Sequence, residues 1–277
     1  MSRSLLAAFT LLLGFLCAPY QPQNPPVKSS ATDWVLTWSE EFNAPNNSPP
    51  DPAKWVVEAN GNPANNELEY YTARRENLRQ NDGNLVIEAR HEKFTGPDGV
   101  TRDYTSGRIN TSGHFTQKFG RFEARIQIPN GPGMWPAFWL LGEDISTIGW
   151  PACGEIDIME NIGAEPTKIH GTLHGPGYSG DDGLSSVYAN PSGRVADTFH
   201  MYAVEWEPTA IRFYMDGQLY ATKTPADLPP GRRWVYDHPF IIILNLAVGG
   251  KWPGNPDSTT VFPQHMRVDY VRVYAKK

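Results

Sequence analysis

The chain has 277 residues, with 25 prolines, 25 glycines and nine tryptophans, and it carries a formal net charge of −6. The negative charge argues against a nucleic-acid backbone or an anionic membrane as partner, and it is compatible with a carbohydrate. All-β sandwiches of about this length commonly form one domain, and the frequent turn residues favour short strands over long helices.

Residues 1–18 have the pattern of a secretory signal peptide. Arg3 supplies the positive charge, Leu5–Leu16 is apolar, and Ala18 is a suitable cleavage position. The apolar run is short for a membrane span. We therefore expect a secreted protein, extracellular or periplasmic, with no membrane association after cleavage.

The segment 19–32 is polar and rich in proline, and it is predicted to be a flexible leader. No second linker or internal repeat interrupts residues 33–277, which are predicted to form a single domain and a monomer. Cys17 lies at the end of the apolar run. The bulky residues before it disfavour a lipoprotein signal, although lipidation of Cys17 stays open. Cys153 is predicted to be a small buried side chain.

Short stretches with the period-two alternation of β-strands follow one another along the chain. Asn81–Asn84 and Asp216-Gly217 are hairpin signals, and no window shows a convincing helical period. This pattern predicts an all-β sandwich of two antiparallel sheets, with at most minor helices in the loops. The clearest predicted strands are Trp34–Trp38, Asn84–Arg90, Gly120–Pro129, Met134–Leu141, His170–His174, Met201–Trp206, Ile211–Met215, Gln218–Thr222, Phe240–Val248 and Met266–Tyr274.

The segment GEIDIMENIG places three carboxylates among large apolar residues. In a regular strand Glu155 and Asp157 share one face, and the isoleucines between them point into the core. Glu160 would then lie on the opposite face. A β-bulge near Ile158–Met159 would restore the phase and bring the three acids together. Without a bulge, the last acid is simply exposed.

Three neighbouring carboxylates repel one another, which raises the pKa of at least one of them. Retaining glycoside hydrolysis uses such an arrangement, with one ionised and one protonated carboxyl about 5–5.5 Å apart. The alternative is a solvated strand edge that carries ordinary acids.

Trp135 and Trp139 share one face of the strand that precedes the acids. They are about 13 Å apart along a strand, which matches two to three sugar rings. Tryptophan faces stack on the apolar faces of sugars, whereas burial in the core is the alternative. Sequential strands usually neighbour each other, which favours a cleft shared with the acids.

Other polar residues accompany these strands. His174 shares a face with His170. Two histidines at this spacing could bind a metal ion, but a role for His174 in positioning substrate or tuning Glu160 is preferred. Asn245 interrupts an apolar strand, and a buried amide needs partners, for which a sugar hydroxyl is one candidate. Arg108 could bond a sugar hydroxyl or an acid, or remain solvated.

Several motifs in this order resemble glycoside hydrolase family 16, in particular its bacterial endo-β-1,3-glucanases, or laminarinases. The resemblance covers nearly all of residues 33–277. The bulged spacing ExDxxE is closer to this branch than to lichenases, which have ExDxE. The motifs are WSEEF (38–42), YYTARRENL (70–78), GMWPAFWLLG (133–142), GEIDIMENIG (154–163), IHGTLHG (169–175), LNLAVGGKWPG (244–254) and MRVDYVRVY (266–274).

The resemblance implies a β-jelly-roll sandwich whose concave sheet carries an open substrate cleft. It implies Glu155 as nucleophile, Asp157 as its electrostatic helper and Glu160 as acid/base. No cofactor is implied for the chemistry. Many members bind a structural calcium, for which Glu41, the carbonyl of Gly83 and Asp269 match by position. The matching sugar-binding positions are Asn77, Arg108, Trp135, Trp139, His174 and Asn245.

The predicted function is therefore retaining endo-hydrolysis of β-1,3-glucan, with mixed-linkage glucan as a further substrate. The alternatives are an agarase- or carrageenase-like hydrolase, a transglycosylase, and a glucan-binding lectin of the same fold. An enzyme for sulfated galactan would need basic residues to bind sulfate. Arg74-Arg75 and Arg232-Arg233 are the basic pairs, and no larger cluster is evident, which favours a neutral glucan.

Overall fold

The computed structural model describes residues 33–277, so the predicted signal peptide and leader lie outside the described residues. Within that range the chain forms seventeen strands, one four-residue α-helix and three 3₁₀ turns. In chain order the strands are β1 (Trp34–Glu40), β2 (Val56–Val57), β3 (Glu69–Tyr71), β4 (Leu78–Asn81), β5 (Asn84–Thr95), β6 (Thr101–Ser106), β7 (Arg108–Asn110), β8 (Gly120–Gln127), β9 (Met134–Gly142), β10 (Glu155–Glu160), β11 (Lys168–His174), β12 (Ser186–Ala189), β13 (His200–Glu207), β14 (Ala210–Met215), β15 (Gln218–Lys223), β16 (Phe240–Val248) and β17 (Gln264–Lys276).

The strands form two sheets, as the sequence predicts. One has seven strands in the order β12-β11-β10-β9-β16-β7-β2, and the other has ten, with β15-β14-β13-β8-β17-β5-β6-β3 as its main path. All pairs are antiparallel except β3 with β6, which is parallel and corrects the expectation of purely antiparallel sheets. The helix α1 (Ile145–Ile148) lies in the loop between β9 and β10.

The core lies between the two sheets and follows the predicted alternation. Phe122, Ala124 and Ile126 on β8 are fully buried, as are Leu85 and Ile87 on β5. They pack in one cluster with apolar residues of the seven-stranded sheet. The opposite face of that sheet is therefore free to carry polar side chains.

Hairpin turns connect neighbouring strands where the sequence predicts them. Asp82-Gly83 joins β4 to β5 and has positive φ angles of 51° and 72°. Asp216-Gly217 joins β14 to β15 with φ angles of 49° and 78°. Aspartate and glycine tolerate this left-handed backbone, which explains their use in two-residue hairpins. Among residues 33–277, no helix is long and apolar enough to cross a bilayer.

Candidate active site

The bulge predicted in the acidic strand is present. Along β10 the pairing with β11 is regular from Glu155 to Asp157 and resumes only at Glu160, and the pairing with β9 is displaced at the same place. The extra residue restores the phase, so Glu160 lies on the same face as the other two acids. Because β9 and β11 flank β10, the interpretation as a solvated strand edge is wrong.

An open cleft of about 370 Å³ lies over this face of the seven-stranded sheet. Strands β9, β10, β16 and β7 form its floor, and segments 64–67 and 145–150 contribute to its walls. Its residues include all three acids and four of the predicted sugar-binding residues. The lining residues that carry chemistry are Glu67, Arg108, Trp135, Trp139, Trp150, Glu155, Asp157, Glu160 and Asn245.

Glu155 is the most accessible of the three acids, with 17% of its side chain exposed. The indole nitrogen of Trp150 donates a hydrogen bond of 2.9 Å to its Oε2 atom. Burial and the charge of Asp157 raise the pKa of Glu155, while His174 and the Trp150 donor lower it. The pKa of Glu155 is nevertheless raised to about 8, and His174 and the Trp150 donor are the groups that favour its ionised form.

Asp157 lies beside Glu155 and is almost fully buried, with 4% of its side chain exposed. Burial raises the pKa of Asp157, whereas a hydrogen bond with Glu155 lowers it. His174 Nε2 is 3.1 Å from Asp157 Oδ2 and 3.8 Å from Glu155 Oε1. His174 therefore contacts Asp157 directly, and it also lowers the pKa of Glu160, which supports the prediction that His174 tunes this acid.

Glu160 is 9% exposed, and its Oε1 atom accepts a hydrogen bond of 2.8 Å from Trp135 Nε1. Burial first and the charge of Asp157 second raise the pKa of Glu160 well above that of an ordinary glutamic acid. Both effects favour the protonated form of Glu160, which a general acid requires.

Trp139 and Arg108 form a second part of the floor, in which Trp139 lies beside Asp157 in the strand register. Trp139 Nε1 donates a hydrogen bond of 2.8 Å to Asn245 Oδ1. The Arg108 guanidinium lies 5.0 Å from the centre of the Trp139 ring and pairs with Glu58 at 3.0 Å. Arg108 is thus held by an acid outside the catalytic group, and the Asn245 amide is held by protein groups.

Comparison with known proteins identifies the chain. Residues 65–272 match the model of the glycosyl hydrolases family 16. The chain belongs to this family. A β-glucanase of Rhodothermus marinus is 44% identical over 260 residues, which are 88% of this chain and 86% of that protein. These findings confirm the predicted family and enzyme class.

Two solved structures share the architecture. The endo-β-1,3-glucanase of Pyrococcus furiosus is 46% identical with a TM-score of 0.85, and the match covers 92% of this chain and 99% of that one. The laminarinase catalytic domain of Thermotoga maritima is 46% identical with a TM-score of 0.83, covering 88% of this chain and 99% of that one. They confirm the predicted jelly-roll fold.

Three residues in or beside the cleft of this family 16 chain were missed from the sequence. Trp150, which contacts Glu155, is 49% exposed at the rim. Glu58 holds Arg108, and Glu67 lines the wall. The position of Trp150 five residues before the first acid was a usable signal. Neither Glu58 nor Glu67 was marked by a comparable signal in the sequence.

Asn77 requires a correction. Its side chain is fully buried and lies outside the cleft lining. It accepts a hydrogen bond from Thr72 and donates to Thr105 and to the Glu88 carbonyl. A side chain with all its partners inside the protein does not reach a polysaccharide, so Asn77 is structural.

The alternative in which the two histidines bind one metal ion is not supported by their partners. His170 Nε2 bonds Glu165 Oε2 at 2.8 Å, and its ring packs against Trp252 with 4.9 Å between ring centres. His174 instead faces Asp157. His170 and His174 therefore have different partners and do not face a common site.

The residues predicted to bind calcium do not fit a calcium ion as placed. Both carboxylate oxygens of Glu41 accept hydrogen bonds from Arg272, at 2.9 and 2.8 Å. Asp269 pairs with Arg125 at 2.7 Å, and Gly83 lies in its hairpin turn. Guanidinium groups at both carboxylates oppose a second cation. Calcium binding here stays a prediction and would require both ion pairs to open.

Replacing Trp150 with phenylalanine removes the indole donor but keeps an aromatic ring. Because that donor lowers the pKa of Glu155, the substitution should raise this pKa, and the acidic limb of the pH–rate profile should move to higher pH. A shift of about one unit is expected for the loss of one hydrogen bond to a charged group. The profile of kcat/KM against pH measures it.

Trp34→Phe, on β1 of the other sheet, is the matched control and should leave the profile unchanged. An unshifted acidic limb in Trp150→Phe would show that the Trp150 donor does not act on the ionisation of Glu155.

Proposed function

We propose that the protein is a retaining endo-1,3-β-glucanase that acts on laminarin-like glucans. The observation that carries the proposal is the bulged strand, which places Glu155, Asp157 and Glu160 together on the floor of an open cleft. An open cleft suits attack within a long chain. The names of the relatives, which describe β-glucanases and laminarinases, support the same substrate class.

In the first step, the Glu160 carboxylic acid gives its proton to the glycosidic oxygen while the Glu155 carboxylate attacks the anomeric carbon. The bond between that carbon and the leaving oxygen breaks, and a glycosyl-enzyme ester forms at Glu155. Asp157, beside Glu155, stabilises the positive charge that develops on the sugar in the transition state.

In the second step, water attacks the anomeric carbon and gives a proton to Glu160, which now acts as a base. The ester at Glu155 breaks, and the carboxylate returns. Two inversions at the same carbon leave the product with the configuration of the substrate. Once Glu155 is esterified it no longer carries charge, which lowers the pKa of Glu160 for its second role.

The charge of the cleft favours a neutral polysaccharide. Among the described residues that line it, Arg108 is the basic one, and Glu58 already neutralises it. A sulfated galactan would place its sulfates near three carboxylates with no free cation opposite them. This disfavours the carrageenase-like alternative.

Product analysis on laminarin, lichenan and agarose tests the proposal. We expect soluble oligosaccharides from laminarin, fewer from lichenan and none from agarose, with the β-anomer first in proton NMR spectra. An α-anomer would contradict retention, and cleavage of agarose alone would contradict the glucan assignment. Binding to laminarin without release of reducing ends would identify a lectin.

We also propose that the protein is secreted and works as a monomer. Secretion rests on the signal-like pattern of residues 1–18, and catalysis in this cleft uses side chains of a single chain. Mass spectrometry of the protein from the culture medium should give a chain that begins after the predicted cleavage region. A lipid on Cys17 would appear in the same spectrum.

A further inference from the structure

A chain of hydrogen bonds connects Glu67 in the cleft wall to Trp139 in the floor through Tyr71 and Asn245. The Tyr71 hydroxyl donates to Glu67 Oε2 at 3.0 Å. Asn245 Nδ2 donates to the Tyr71 oxygen at 3.2 Å, and Asn245 Oδ1 accepts from Trp139 Nε1 at 2.8 Å. Glu67, Tyr71 and Asn245 are 7%, 1% and 7% exposed, so water offers few alternative partners.

This chain has one consistent direction. An indole nitrogen can only donate, so Asn245 must present its oxygen to Trp139 and its amino group to Tyr71. The hydroxyl of Tyr71 then accepts from Asn245 and must use its own hydrogen elsewhere. The Glu67 carboxylate is the acceptor for that hydrogen, and it anchors the Tyr71 end of the chain.

Glu67 lies close to a second buried acid, Glu69. Its neighbour Glu69 is fully buried, and burial together with the charge of Glu67 raises the pKa of Glu69 well above its usual range. The Oε2 atom of Glu69 accepts a hydrogen bond of 2.7 Å from the Val248 backbone. The other oxygen of Glu67 accepts from Asn65 at 3.3 Å.

The hydrogen-bond chain ends at Trp139, which is the part of the cleft floor on which a sugar would rest. The Trp139 ring is held at its nitrogen by Asn245 and on one face by the Arg108 guanidinium. Aromatic stacking depends on the tilt of the ring, so a ring that loses its nitrogen partner binds a sugar less well. Trp139 lies beside Asp157 in the strand register, close to the acids but apart from their chemistry.

We propose that Glu67 and Tyr71 are positioning residues for substrate binding, which act through Asn245 to fix the Trp139 platform. The proposal rests on the glucan-hydrolase function proposed above and adds two residues to its binding machinery. If the Glu67 acceptor is lost, Tyr71 can donate to Asn245 instead. The amide then turns its amino group toward the Trp139 nitrogen, and two donors face each other.

Steady-state kinetics of four variants test this arrangement on the glucan that the wild-type protein cleaves. Glu67→Ala and Tyr71→Phe should each raise KM by about tenfold, the effect of one lost hydrogen bond, with kcat within about threefold. Glu67→Gln keeps an oxygen acceptor and should restore KM. Glu76→Ala, at an exposed glutamate nine residues along the chain, is the control and should leave KM unchanged.

A double-mutant cycle with Trp139→Phe separates positioning from simple loss of stability. Phenylalanine keeps a ring but has no nitrogen to hold, so Glu67→Ala should then raise KM by less than about twofold. An equal tenfold effect in both backgrounds would overturn the proposal. So would equal losses of kcat in all variants, or a KM in Tyr71→Phe like that of the wild type.

Two controls keep these outcomes distinct. Circular dichroism checks that each variant is folded, and if Glu67→Ala does not fold, Tyr71→Phe in the same cycle carries the test. An inactive wild-type protein would refute the proposed function itself. An active wild-type protein with no change of KM in Tyr71→Phe would refute only the positioning role.

Discussion

Replacing Glu155 with glutamine should abolish hydrolysis of laminarin while leaving binding intact. The amide has nearly the same shape and can still accept the hydrogen bond from Trp150, but it cannot attack the anomeric carbon. Loss of a nucleophile should lower kcat by about 10⁴- to 10⁶-fold. The release of reducing ends, followed over hours at high enzyme concentration, measures this loss.

Binding and a matched variant complete the test. Calorimetry with laminari-oligosaccharides should give a Kd within about threefold of that of the wild type, because the uniform binding contacts remain. Glu207→Gln, on β13 of the other sheet, should leave kcat unchanged. Near-normal turnover in Glu155→Gln would refute Glu155 as the nucleophile and with it the proposed mechanism.

The sequence predicts the fold because its strands are long enough to show a period. On β8, every second side chain is buried, and this alternation is visible without a structure. The bulge in β10 was predictable for the same reason. Three acids can share a face only if one residue is added between Asp157 and Glu160, and the pairing with both neighbouring strands shows that addition.

The contacts of the site could not be predicted, because they depend on the register between strands and on loops. Register places His174 opposite Glu155 and His170 opposite Glu160, so the direct contacts of His174 are with the first two acids. Residues with the right chemistry were also assigned to the wrong surface. Asn77 has the amide of a sugar-binding residue, yet β5 and β6 bury it completely.

Contacts between residues that are far apart in the sequence could not be predicted either. Arg108 meets Glu58 although fifty residues separate them, and neither position stands out from its neighbours in the sequence. Short strands such as β2 and β3 have too few residues to show a period, and it is the return of β3 beside β6 that brings Tyr71 under the cleft. The hydrogen-bond chain that holds Trp139 thus depends on the pairing of β3 with β6, which no local sequence pattern indicates.

Replacing Glu160 with alanine should give a different defect from that of Glu155→Gln. The polysaccharide needs a proton on its leaving oxygen, so kcat on laminarin should fall by about 10²- to 10⁴-fold. An aryl glycoside with an acidic phenol as leaving group needs no such proton. Its glycosyl-enzyme should still form, and a burst of released phenol should precede a slow steady state.

The pH profile and an added nucleophile decide whether Glu160 is the acid/base. The wild-type enzyme should lose activity as pH rises through the pKa of Glu160, and burial places this basic limb above the range of ordinary glutamic acids. The limb should be absent in Glu160→Ala. Azide, which needs no general base, should accelerate breakdown of the glycosyl-enzyme and give a β-glycosyl azide. An α-glycosyl azide would show instead that Glu160 had been the nucleophile and that the two roles are reversed.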